Sequence, residues 1–429
     1  MTYFDHEAPL ICIRGAEVYA PEPLGQRDVL VEHGRIAAIG DTLELDGRTA
    51  TEIDGRGMVV VPGFIDSHLH ITGGGSIGAG PISREPEFGF GEIVSSGVTT
   101  AIACQGADYM SRSYEALLQK ARGLTAEGLS TFLWNNGFNN PPTALTGNIA
   151  RDLFLVPEII GSKIAIGDFL APPWTPDELH RLLWQVLSGA QMSGKIGAVH
   201  VHAGVLPGGL SVVSEVIARY DFRGVDETSR HGASRSVGGH FQITHCNWNE
   251  DLLNQTIELC GTGAYADVTA GMPDASGFGS ELDPATSVMK ILAGGISERQ
   301  ITVSSDAGGN EAYLDEYRRV QTLVRLVPPR IHEVFTNLIN MHGLPIELAV
   351  RMTSTNVAEL QEWPYKGRIF KGADADLLLL DAKSLVIDSV IASGRLVVHD
   401  GKVIAPGITS GRAEIYQRPA PNLAPLLAP

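Results

Sequence analysis

The sequence predicts a (β/α)8 barrel of TIM type that carries a small β-sandwich domain built from both ends of the chain. Three observations lead there. Through the middle of the chain, eight apolar strand-like runs alternate with segments of helical period. Both ends carry short strands joined by glycine turns, with no helix-period segment between them. Histidines, a lysine and an aspartate stand at the ends of the alternating strands, where a barrel places its chemistry.

In order, the N-terminal β texture comprises Ile11 to Ile13, Asp28 to Val31, Arg35 to Ile39 and Met58 to Val61, punctuated by Gly15, Gly34, Gly40 and Gly55. It returns at 372–405, with a turn signal at Asp400-Gly401. Residues 1–60 and 365–429 are therefore assigned to one β domain and 61–364 to the barrel. The tail from Arg412, with four prolines and little periodicity, reads as peripheral.

The alternating runs are Met58–His70, Val98–Cys104, Thr131–Trp134, Lys163–Ile166, Ile196–His202, Phe241–Cys246, Ala264–Thr269 and Ile301–Ser305. Among the helices, Thr175 and Glu178 form a capping box with Pro176 in the first turn, and Leu179, Leu182, Leu183, Val186, Leu187 and Ala190 share one face. Tyr114, Leu117, Leu118, Ala121 and Thr125 form a second such stripe. An open doubly wound sheet is the duller alternative, but no G-x-G-x-x-G with a following acid marks a dinucleotide fold.

At 429 residues the chain can bury a large core. Its 32 basic against 49 acidic residues, net −17, argue against a nucleic-acid surface or a polybasic membrane patch. The four cysteines form no C-x-x-C pair, and the N-terminus lacks a basic, apolar leader. A cytoplasmic enzyme for a small-molecule substrate, assembled as a homo-oligomer, is the expectation.

The stretch V-V-P-G-F-I-D-S-H-L-H-I-T-G-G-G organises the site. Strand side chains alternate faces, so His68 and His70 point the same way, an arrangement suited to a divalent cation. Asp66 shares that face and is expected to orient a ligand imidazole. His202, His245 and Asp306 end other strands, the fourth strand carries Lys163, and His200 lies one layer deeper than His202 and could trade places with it. An ammonium cannot ligate a metal, but a desolvated amine can take up CO2 as an anionic carbamate. Glycines 73 to 75 read as a loop admitting backbone to the site, since no G-K-[ST] follows.

P-G-F-I-D-S-H-L-H, the lysine in I-I-G-S-K-I-A-I-G-D, H-A-G at 202, T-H-C-N at 244 and V-S-S-D at 303 resemble the amidohydrolase superfamily, specifically its isoaspartyl dipeptidase branch. The resemblance covers nearly the whole chain. It implies two divalent cations, expected to be zinc, one held by His68 and His70 and the other by His202 and His245. It also implies carbamylated Lys163 bridging them and Asp306 ligating and shuttling protons.

The specificity positions depart from the branch. Where its members carry glutamate, tyrosine and two arginines, this chain has Ile77, Phe138, Leu170 and Trp248, and Asn310 replaces a serine. Arg84 or Arg235 is the candidate substitute for a lost arginine. With Trp134 also expected near the mouth, the pocket suits a neutral, aromatic or N-acyl amide. The alternatives are isoaspartyl dipeptidase proper, opening of a cyclic ureide or imide, deamination of a heterocycle, and a non-catalytic assembly protein, which the six intact candidate ligands disfavour.

Overall fold

The structure, a computed structural model, describes residues 10–76, 79–206, 208–220, 235–271 and 282–405. The tail from Arg412 and the position of Ile77 lie outside them. Strands β1 (Ile11–Tyr19), β2 (Pro23–Glu32), β3 (Arg35–Gly40), β4 (Thr51–Asp54) and β5 (Met58–Pro62) come from the start of the chain. They join β16 (Leu377–Asp381), β17 (Ile387–Ala392), β18 (Arg395–His399) and β19 (Lys402–Val403) in one nine-stranded sheet of sandwich type. Between them in sequence, β6 (Phe64–Leu69), β7 (Val98–Ala103), β8 (Ser130–Asn135), β9 (Ile159–Ile166), β10 (Ala198–Ala203), β11 (Phe241–Thr244), β12 (Tyr265–Thr269) and β13 (Ile301–Ser304) form an eight-stranded parallel sheet in chain order. The sheet closes through Asp306 N donating to His68 O at 3.0 Å and His70 N to Ala307 O at 2.8 Å. The seam of the barrel is thus made by the residues expected to do its chemistry.

The long run from Met58 to His70 is two strands, a correction to its reading as one. Gly63 separates them, because a Cβ there would lie 2.1 Å from Thr99 Oγ1. The apolar run is continuous because both faces of β5 are covered: Val59 and Val61 pack into the barrel core, Val60 into that of the small domain. In β16, Leu378 and Leu380 likewise face the barrel core while Leu377 and Leu379 face the other. One sheet therefore serves two cores and ties the small domain to the floor of the barrel.

The helix Pro176–Ser193 has the anticipated capping box, Glu178 N donating to Thr175 Oγ1 at 3.3 Å and Thr175 N to Glu178 Oε2 at 2.8 Å. The helix Tyr114–Glu127 buries Leu124, where Thr125 was expected to complete the stripe. A hairpin of β14 (Asn310–Leu314) and β15 (Val320–Arg325), not anticipated from the sequence, follows the last barrel strand and walls the mouth. Among the described residues, no helix is long and apolar enough to cross a membrane.

Candidate metal centre

His68 and His70 emerge side by side at the end of β6, their Nε2 atoms 3.3 Å apart. Asp306 Oδ1 lies 3.3 Å from the first and 3.1 Å from the second. Lys163, fully buried on β9, brings Nζ to 2.9 Å from His68 Nε2 and 3.3 Å from both Cys104 Sγ and Gln105 O. A lysine so placed does not snorkel to solvent. His202 and His245 face each other with ring centroids 4.4 Å apart.

Two of these side chains leave their strands through left-handed backbone, His245 at φ 64° and Asp306 at φ 54°. Such a conformation costs about 1–3 kcal/mol in a non-glycine residue and persists where the surroundings over-determine it. Here Thr269 Oγ1 holds His245 Nδ1 at 2.7 Å, and the closing bond to His68 O fixes Asp306. Gly74 lets the loop pass over His70, since a Cβ there would stand 2.9 Å from the ring.

Electrostatics keep His68, His245 and Asp306 in ligating form. Burial would lower His70, but Cys104 and the bond to Asp306, against burial and the charge of Lys163, raise it to about 9. Burial first, and the charge of Lys163 second, push His68 well below the usual imidazole range; burial and His202 do the same to His245. Burial would raise Asp306, but His245, His70 and Lys163 outweigh it and hold the carboxylate low. His245 Nε2 is buried and has no hydrogen-bond partner among the described residues. Orphaned buried acceptors of this kind are rare in folded proteins. A buried nitrogen lone pair without a partner and an ionised carboxylate within one histidine cluster form a donor set that fits a divalent cation. His68, His245 and Asp306 have ligand atoms within 4.8 Å of one another, as do His68, His70 and Cys104.

His200 is not part of this convergence. Its Nε2 lies 3.0 Å from His68 Nδ1, on the side away from the cluster, its Nδ1 lies 2.9 Å from Gln242 Oε1, and its ring stacks on Trp134. It fixes the tautomer and orientation of His68 from beneath. Asp66, expected in that role, touches no imidazole: it accepts from the backbone N of His68 and Ser305 and from Ser305 Oγ, stitching β6 to the end of β13. Trp134, expected near the mouth, lies in the core with Nε1 donating to Ser67 O.

A cavity of about 130 Å3 opens over the cluster, lined by Phe138, Leu170, Trp248 and Asn310, as expected, together with Asp168 and Glu311. Phe138 packs edge-on to His202 and stacks on Tyr109. Arg84 and Arg235 do not line it. Arg84 is exposed with its guanidinium on Ser111, and Arg235 donates to the carbonyls of Gly239 and Leu360. Sequence reasoning missed Asp168, whose Oδ2 lies 2.9 Å from His202 Nε2, and Cys104 beside Lys163. The signal for both was an ionisable residue at, or two positions beyond, a barrel strand's end.

The Amidohydrolase family profile matches residues 288–397. The solved structure of a β-aspartyl dipeptidase from Fervidobacterium islandicum in complex with a β-Asp-Leu dipeptide is 29% identical and superposes with a TM-score of 0.82, over 93% of this chain and 99% of that one. An adenine deaminase of Halalkalibacterium halodurans is 26% identical over 391 residues, 88% of this chain. The chain spans just over half the length of the curated adenine deaminases it matches, 55% and 57%. A D-hydantoinase structure shares the fold, with a TM-score of 0.61 at 17% identity.

Proposed function

Since the chain belongs to the amidohydrolase superfamily, we propose that it hydrolyses a carbon–nitrogen bond of amide type with the help of two divalent cations. His68 and His70 would hold one cation and His202 and His245 the other. Lys163, as its CO2-derived carbamate, would bridge them, and Asp306 would complete the set. The cations, zinc being the expected choice, would supply Lewis acidity, acidifying water and polarising the scissile carbonyl. The observation that carries the reading is the buried Nε2 of His245, partnerless among the described residues, in a histidine cluster that also holds Asp306, whose Oδ2 lies 4.0 Å from the other ring nitrogen of His245.

The chain's own groups divide the remaining work. Asp306, held ionised despite its burial, takes the proton of the attacking water and returns it to the departing nitrogen. Asp168 fixes His202 through Nε2. Phe138 has no hydroxyl to offer a developing oxyanion, but the indole N–H of Trp248 is buried and has no partner among the described residues, so it is the available donor. Leu170 and Phe138 cover the cavity with apolar surface. With no arginine among its described lining residues, the cavity wall they form does not suit a free carboxylate.

The test is a panel of β-aspartyl dipeptides, N-acyl amino acids, aromatic amides and hydantoins offered to the metal-loaded protein. Aromatic amides should be cleaved to amine and carboxylate. Release of ammonia from a heterocycle, with every amide untouched, would favour the deaminase reading suggested by the adenine deaminase relatives.

A further inference from the structure

Glu311 and Asn310 begin the hairpin that walls the cavity, immediately beyond Asp306 and its glycines. Asn310 is nearly buried, at 5% exposure. Its Nδ2 donates to Ser83 O at 2.7 Å and to Glu85 Oε1 at 3.0 Å, which fixes the orientation of the amide. Oδ1 is left buried with no partner among the described residues. Glu311 lines the same cavity, and its side chain makes no hydrogen bond or ion pair among the described residues. The nearest arginine of the hairpin, Arg325, is committed elsewhere: it pairs with Glu85 and Glu92 and lies over the Phe88 ring.

An acceptor without a donor and a carboxylate without a cation, on successive residues that both line the cavity, lack the same thing. Each is costly to bury unpaired, and one protonated amine satisfies both. We propose that Asn310 Oδ1 and Glu311 form a subsite for a primary ammonium group carried by the substrate, which makes the substrate class an amine-bearing amide. This rests on the hydrolase reading above for the word amide, but not for the word ammonium. Burial first, and the charge of Asp306 second, hold Glu311 raised to about 7, as befits a carboxyl whose cationic partner arrives with the ligand. The position also suits recognition: a group held at the hairpin sits to one side of the imidazoles, leaving the scissile bond over them.

The experiment has two arms on the metal-loaded protein. In the first, calorimetry compares benzylamine with benzyl alcohol, a neutral compound of the same shape. The unmodified protein should bind the amine roughly tenfold or more tightly than the alcohol, and Glu311→Gln should abolish the difference, while Glu311→Asp, which keeps the charge, should retain part of it. Equal binding of the two by the unmodified protein overturns the subsite, and so does an amine preference that persists in Glu311→Gln, as direct ligation of a metal would give. In the second arm, kcat/KM is compared for an aminoacyl anilide and its desamino counterpart, and the ratio should collapse in Glu311→Gln through KM. If neither anilide is cleaved while the binding difference holds, the hydrolase reading fails and the ammonium subsite stands. If anilides are cleaved without discrimination, the reverse is true.

Discussion

Lys163 Nζ stands 2.9 Å from Nε2 of His68, at the point where an imidazole lone pair would otherwise be offered to a cation. As an ammonium, Lys163 occupies that lone pair and repels a metal; as a carbamate it becomes a ligand itself. Lys163→Ala should therefore purify with less than its full metal complement and with turnover reduced by roughly three orders of magnitude or more. A short carboxylic acid added to the buffer should restore part of both. Elemental analysis beside the rate checks this; a fully metallated, fully active variant would rule out the carbamate.

Asp306→Asn is the test of proton transfer. An amide of the same shape can occupy the left-handed turn but cannot accept a proton, so turnover should fall by roughly 10^2 to 10^4 while the melting temperature moves little. Near-normal turnover would shift attention to Asp168, the other carboxylate against the histidines. His240 cannot take that role: it precedes β11, with Nδ1 donating to Gly197 O.

Substrate preference should follow the cavity wall. Phe138, Leu170 and Trp248 offer apolar area worth about 25 cal/mol per Å2 buried, and no arginine among the described lining residues awaits a carboxylate. The value of kcat/KM for an aromatic amide should exceed that for a β-aspartyl dipeptide. Leu170→Arg and Trp248→Arg together should improve the dipeptide only modestly, because a guanidinium grips a carboxylate well only where neighbouring groups hold it in place. A wide margin for the dipeptide on the unmodified protein would contradict the assignment of these three side chains.

His240 also predicts an acid limb of stability. Burial, then the charge of Arg235, push its imidazole down to about 4, below its unfolded value near 6.5. Between those two values the unfolded chain binds the extra proton, so the contribution is complete at neutral pH and declines as pH falls. Relative to His240→Gln, the unmodified protein should lose about 2 kcal/mol of unfolding free energy on going from about pH 7.5 to about pH 5. Urea titrations at the two pH values measure it; parallel pH dependence in the two proteins would contradict the burial of that ring.

The fold was legible because alternation is a strong signal. Period-two strands and period-3.6 helices succeed one another through the middle of the chain, and strand-end polarity marks which mouth is functional. His68, His70, His202, His245 and Asp306 stood out as candidates for that reason, and Lys163 for its place in the fourth strand. The division at Gly63 was not: a strand covered on both faces reads as an unbroken apolar run whichever sheet it joins, and only the approach of Thr99 makes the glycine necessary. Arg84 and Arg235 misled because residue type says nothing of where a long side chain finds its acceptors, and carbonyl oxygens took Arg235. Glu311 was invisible because its meaning depends on the orientation of the Asn310 amide, which is set by Ser83 and Glu85 from a distant part of the chain.

The most direct test of two-cation catalysis is a titration of the chelator-stripped protein with a divalent cation in bicarbonate-containing buffer, reading aromatic amide hydrolysis. Activity should rise to a plateau at two equivalents per chain and should recover more slowly when bicarbonate is withheld. A plateau at one equivalent, or full activity in the stripped protein, would contradict a bridged pair of cations held by Lys163 and the four histidines.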